Sequence, residues 1–215
     1  MLLSSAVALG STVGLTQTLC LRNTVLMPIN ELLRLIRDQP SPEIAWQRML
    51  ELFTAHKSSN LWSALPRPDF AVDKTKMRDW LQGNLARLAE PSGIYLGLDT
   101  LNMNAGAGTN IEIGWLPCDT LRNDTDWLYG DLQRGSSTLI SGLYTLQATY
   151  SRPEWRSIFP FADYVVFLGY SGLVLREALS DFSASQPLLV AWGFHDGDMF
   201  ILARTGAGSI KLICQ

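Results

Sequence analysis

The stretch "LLVAWGFHDGDMFILARTGAGSIKLICQ", residues 188–215, decides the fold class. Asp196-Gly197 is a strong two-residue hairpin signal, because such turns need positive φ at their centre. With that turn, His195 pairs with Asp198, Phe194 with Met199 and Trp192 with Ile201. A second loop at "TGAG" (205–208) pairs Arg204 with Ser209 and Ile201 with Leu212. Side chains alternate across a strand, so one face collects Val190, Trp192, Phe194, Met199, Ile201, Ala203, Ile210, Leu212 and Cys214. All are apolar, and that face is the expected core. The other carries Ala191, His195, Asp198, Phe200, Leu202, Arg204, Ser209 and Lys211. The chain is expected to close on three antiparallel strands.

Period-two patterning extends upstream. "GIYLGLDTL" (93–101) and "TNIEIGW" (109–115) flank "NMNAGAG" and read as another hairpin. Ile94, Leu96, Leu98, Ile111, Ile113 and Trp115 share its buried face. Asp99 and Glu112 fall on the opposite face as diagonal neighbours, about 7–8 Å apart. "LRNDTDWLYGDLQ" (121–133) reads as a loop or short helix, and "TLISGLYTLQATY" (138–150) as a long strand. "DYVVFLGYSGLVLREAL" (163–179) reads as one or two strands turning helical at the end.

Residues 28–90 have the helical period instead. Ile29, Leu32, Leu33 and Ile36 recur at i, i+3, i+4 and i+7, with Asn30 as the cap and Pro40 as the stop. Ser41 caps a second helix with Pro42 at its first position, and Trp46, Met49, Leu50 and Phe53 form its stripe. A third helix from about Lys74 aligns Met77, Trp80, Leu81, Leu85 and Leu88. The fold expected is α+β, with helices over about 28–90 packed on a largely antiparallel sheet over about 92–215. In domain terms, a single unit spans 27–215, with a helical part (27–90) and a β-rich part (91–215).

Residues 1–26 carry no charge before Arg22 and read as a signal-like or loose segment. A basic start is missing, and Gly10 and Gly14 interrupt the apolar run, so neither an ordinary secretory signal nor a stable membrane span fits. The expected location is cytoplasmic, or exported if 1–26 is a signal.

Apolar residues make up 47% of the chain and charged residues 17%, which suits a large core. Net charge is −3, with +1 over 27–90 and −5 over 91–215. No Lys/Arg cluster offers the phosphate contacts a nucleic acid would require. Cys20, Cys118 and Cys214 lie far apart, which argues against zinc and against a disulfide scaffold. No metal or other cofactor is expected.

Chemistry-bearing patterns are sparse. His195 and Asp198 read first as charged shoulders of a turn, where a cross-strand pair contributes about 0.2–1 kcal/mol. "GYSGL" lacks the spacing of a nucleophile elbow around Ser171. Cys118 would need His195 beside it to act as a nucleophile. The echo "AGAGTNIEI" (105–113) and "TGAGSIKLI" (205–213) precedes strands, so it reads as turn chemistry rather than a phosphate cradle. Asp119, Asp124, Asp126 and Asp131 lack calcium-loop spacing and read as an acidic binding surface.

The function expected is therefore a non-enzymatic protein-binding module, of immunity or adaptor type, with a basic partner protein. The alternative is a hydrolase or metal-dependent enzyme using Asp99, Glu112, His195 and Asp198 on the outer sheet face. That alternative requires the two hairpins to lie side by side. A further alternative, an exported ligand-binding protein, depends on residues 1–26.

Overall fold

Helices form where apolar period and capping coincide. The computed structural model describes residues 29–86, 92–99, 110–118, 120, 125–182, 187–195, 198–206 and 209–215. Segment 1–26, both Gly-Ala-Gly loops and the Asp196-Gly197 tip lie outside them wholly or in their central residues. Helix α1 (residues 29–38) buries Ile29, Leu32, Leu33 and Ile36. Asn30, expected as its cap, lies within the helix. Ser41 caps α2 (Pro42–His56), its hydroxyl accepting from Ile44 N at 3.3 Å, and Pro42 follows where no N–H is needed. Helix α3 (Phe70–Leu85) starts ahead of Lys74, because the Asp69 carboxylate takes the Ala71 and Val72 amides.

Six strands form one sheet: β1 (Ser92–Asp99), β2 (Asn110–Pro117), β3 (Gln133–Leu139), β4 (Leu188–Phe194), β5 (Met199–Gly206) and β6 (Ser209–Leu212). Their order is β3-β2-β1-β4-β5-β6, and only β1 and β4 run parallel. Helices pack on one face, so the class is α+β with a largely antiparallel sheet.

Two segments read as strands are helices, and they lie within the β-rich half. Residues Ser141–Tyr150 form α4, with Leu143, Leu146, Gln147 and Tyr150 buried at helical spacing. No residue beside α4 caps it. Asp73 of α3 does so from 68 residues away, accepting from Ser141 N at 2.9 Å and Gly142 N at 2.7 Å. Residues Phe159–Ser180 form α5, which lies at the centre of the helical layer and touches α2, α3 and α4. A helix apolar all round is a buried helix, and Val165, Val166, Phe167, Leu168, Leu173 and Val174 are all buried. Arg176 of α5 is 4% exposed and closes the end of α1, donating to the carbonyls of Ile36 and Gln39. Strand β3 joins the end of the 121–133 loop expectation to the first two residues of the 138–150 strand expectation, across residues 134–137 that the pattern left unassigned.

Register also differs from expectation. The β5–β6 pair Gly206 with Ser209, so the connection is two residues long, and Thr205 is in the strand with its Oγ1 accepting from Leu188 N at 2.8 Å. Val190 faces Ala203, but Ala191 faces Ile201, which leaves Leu202 as an extra residue in β5. This bulge puts both Leu202 and Ala203 in the helix-side core. Met199 and Ile201, expected there, belong to a second cluster on the outer face with Tyr95, Leu128, Leu189 and Ala191. Cys214 is buried, and burial pushes its thiol up to about 12, which fits a structural role.

Candidate functional site

The outer sheet face is covered at one end and open at the other. At the covered end, Trp127 and Cys118 lie over Gly93 at the start of β1, where a Cβ would come within 2.5 Å of the Trp127 ring and 2.9 Å of Sγ. Trp127 belongs to a short 3-10 turn, Asp126–Tyr129. At the open end, one row crosses the sheet: Glu112 of β2, Gly97 of β1, Gly193 of β4 and Met199 of β5.

Two glycines of that row seat a histidine. Gly193 has φ +154, and a Cβ on it would overlap the Asp198 carbonyl and come within 2.9 Å of Met199 Cα. This close crossing lets β4 leave β5 after Phe194, whose N–H goes to Asp198 O, while the His195 N–H goes back to Leu98 O on β1. The His195 imidazole then rests on Gly97, where an added Cβ would lie 2.5 Å from Nε2. Tyr95 supports it edge-on, with ring centroids 5.5 Å apart.

So placed, His195 reaches across β1 to Glu112, Nε2 to Oε2 at 3.4 Å, and Arg134 of β3 approaches the same oxygen at 3.8 Å. Both distances exceed the roughly 2.7–2.9 Å of a charge-assisted hydrogen bond. The side chains of His195, Glu112 and Arg134 are 38%, 33% and 77% exposed. They line a cavity of about 320 Å³ with Tyr95, Asp131 and Leu132, and with the backbone of Gly114 and Gly130. A register shift in the β2–β3 pairing, between Glu112 and Gly114, borders it. Tyr129, immediately before this wall, is 80% exposed.

The sequence-derived candidates divide. Glu112 and His195 meet. Asp99 pairs with Asn110, diagonal to Glu112, and its side chain lies outside the described residues. Asp198 is directed to the helix side, where its carboxylate accepts from Tyr164 of α5. The His195–Asp198 pair is thus replaced by two separate contacts, because the extra residue in β5 turns Asp198 to the helix side and β4 leaves β5 after Phe194. Of the acidic set, Asp131 lines the cavity and Asp126 is exposed, while Asp119 and Asp124 lie outside the described residues. Cys118 lies near Gly93, four residues of strand or about 13 Å from Gly97, so it does not meet His195. Ser171 is buried inside α5, bonded to Leu168 O. Among the described residues, no group of three His, Cys, Asp or Glu is placed to hold a metal ion.

Tyr95, Gly97, Arg134 and Gly193 were missed as site residues. Isolated glycines inside strand patterns were the available signal, since they mark bulges or close approaches. A larger groove, about 930 Å³ between α2 and residues 62–67, brings none of the candidates together. No helix among the described residues is long and apolar enough to cross a membrane. Comparison with protein-family models, curated proteins and solved structures found no match to this chain.

Proposed function

We propose that this chain is a protein-binding module, of immunity or adaptor type, whose recognition surface is the open end of the outer sheet face. The observation that carries the reading is Tyr129, a large aromatic 80% exposed and next in sequence to Gly130 in the wall of a cavity that also holds Glu112 and Asp131. An exposed tyrosine next to a recessed acidic pocket is the arrangement expected of an interface anchor, because aromatic residues in desolvating surroundings supply much of the affinity at protein interfaces. The −5 balance of residues 91–215 supports a basic partner through steering.

The test is affinity capture of the partner from the native lysate, followed by titration of purified components. Tyr129→Ala is expected to weaken binding about tenfold. A Kd unchanged within twofold removes the partner from this face.

A second reading, acid–base hydrolysis, is favoured by the His195–Glu112 contact. His195 would take a proton from water while Glu112 orients the ring. Among the described residues the cavity wall offers no serine, threonine or cysteine, so water would be the nucleophile. Under this reading, Glu112→Gln and His195→Asn each lower kcat/KM about a hundredfold or more on a substrate found by screening. Hydrolysis that survives either substitution excludes it.

A further inference from the structure

We infer that the cavity on the outer sheet face receives a guanidinium group, an arginine side chain presented by the partner protein, with Arg134 as an internal placeholder that the incoming group displaces. This rests on the protein-binding reading and names the chemistry of the partner.

The Glu112 carboxylate is one-third exposed, and among the described residues its ion-pair partners stand beyond charge-assisted hydrogen-bond length. Its strand, the cleared surface of Gly97 and the wall from Gly130 to Leu132 hold it in a cavity, yet the nearest side-chain nitrogens, His195 Nε2 and the Arg134 guanidinium, stop at 3.4 and 3.8 Å. A carboxylate accepts a planar fork of two N–H groups at about 2.7–2.9 Å, and neither neighbour supplies one. Arg134, at 77% exposure, is held too weakly to be a structural partner, since exposed ion pairs contribute little. It nevertheless places a guanidinium at the cavity mouth. Asp131 provides a second carboxylate in the same wall, so the wall pairs two anions with one loosely held cation. An added cation restores the balance. Arginine fits better than lysine because its fork matches carboxylate geometry and its flat face stacks on rings such as His195.

The experiment uses the full chain and small probes. N-acetyl-arginine methylamide is titrated while backbone and imidazole NMR signals are followed, with the neutral isostere N-acetyl-citrulline methylamide as control. The arginine probe is expected to shift Glu112, Leu132 and His195, with half-saturation at about 1–10 mM, the range of one charge-assisted fork. Citrulline should leave them in place. Glu112→Gln should weaken the response at least fivefold. Arg134→Gln should strengthen it about threefold, whereas Arg156→Gln, at an exposed site outside the cavity wall, should not change it. Unchanged spectra of the variants outside the cavity would show that the fold is retained.

No saturation by 50 mM (roughly five times the weakest expected value), an equal citrulline response, or equal effects of Arg134→Gln and Arg156→Gln would overturn the inference. If the probe fails while Tyr129→Ala still weakens the native complex, the guanidinium assignment alone falls. If both fail, the protein-binding reading of this face falls with it.

Discussion

Asp73→Ala is expected to lower the unfolding free energy by about 3–5 kcal/mol, enough to threaten a fold of ordinary stability. Asp73 is 2% exposed and takes three donors: Ser141 N at 2.9 Å, Gly142 N at 2.7 Å and the Tyr170 hydroxyl at 2.9 Å. Burial first, then the adjacent Asp73 charge, pushes the Tyr170 hydroxyl far up, so it remains a donor. Alanine would leave that hydroxyl unpaired in the core, at about 1–3 kcal/mol. It would also uncap α4, where the carboxylate meets the positive end of the helix. An ordinary exposed cap such as Ser41 contributes about 1 kcal/mol. Asp73 contributes more because it also joins α3, α4 and α5 at one point. Urea unfolding at neutral pH measures the difference. A loss below about 1 kcal/mol would mean that water replaces the carboxylate on all three donors.

The same cap explains why α4 was illegible in the sequence. Its alternation of Tyr144, Leu146, Ala148 and Tyr150 with Thr145, Gln147 and Thr149 suits a strand, and its N-terminal anchor lies 68 residues earlier, out of reach of any local rule. Helix α5 was hidden for another reason: a continuous apolar run has no period, so a buried helix and buried strands look alike. Where local chemistry suffices, sequence and structure agree. Ser41-Pro42 starts α2, and the apolar stripes of α1 to α3 are buried except for the half-buried Leu50 and Trp80, with Leu88 outside the described residues.

The site was legible in its residue types more than in its geometry. Glu112 and His195 stood out as ionisable groups on an outer face. What joins them is a parallel β1–β4 contact between two hairpins, and the strand order cannot be read from either hairpin alone. The single extra residue at Leu202 reversed the side chains from Asp198 to Leu202 relative to the expected register, as a one-residue slip must. Arg134 was invisible because "LQRGSSTL" has too few apolar residues to mark an edge strand.

Gly97→Ala separates the site from the fold. The new Cβ would lie 2.5 Å from His195 Nε2, so the imidazole must leave its seat. That side chain is 38% exposed and can swing into solvent, and alanine recovers about 0.5–1 kcal/mol of backbone entropy relative to glycine. Stability should therefore change by less than about 1 kcal/mol. Partner affinity should fall about 30- to 100-fold, because the displaced ring no longer lines the cavity and Glu112 loses its orienting neighbour. A double-mutant cycle checks the cause. In the native background, His195 and Glu112 should couple by about 0.2–1 kcal/mol, a value discounted for exposure. With Gly97→Ala the coupling should vanish. Persistent coupling would mean that the imidazole reaches Glu112 by another path. Unchanged partner affinity would mean that the Gly97 seat is irrelevant to recognition. Loss of both coupling and affinity with the fold intact would identify this glycine as the residue that makes room for the site.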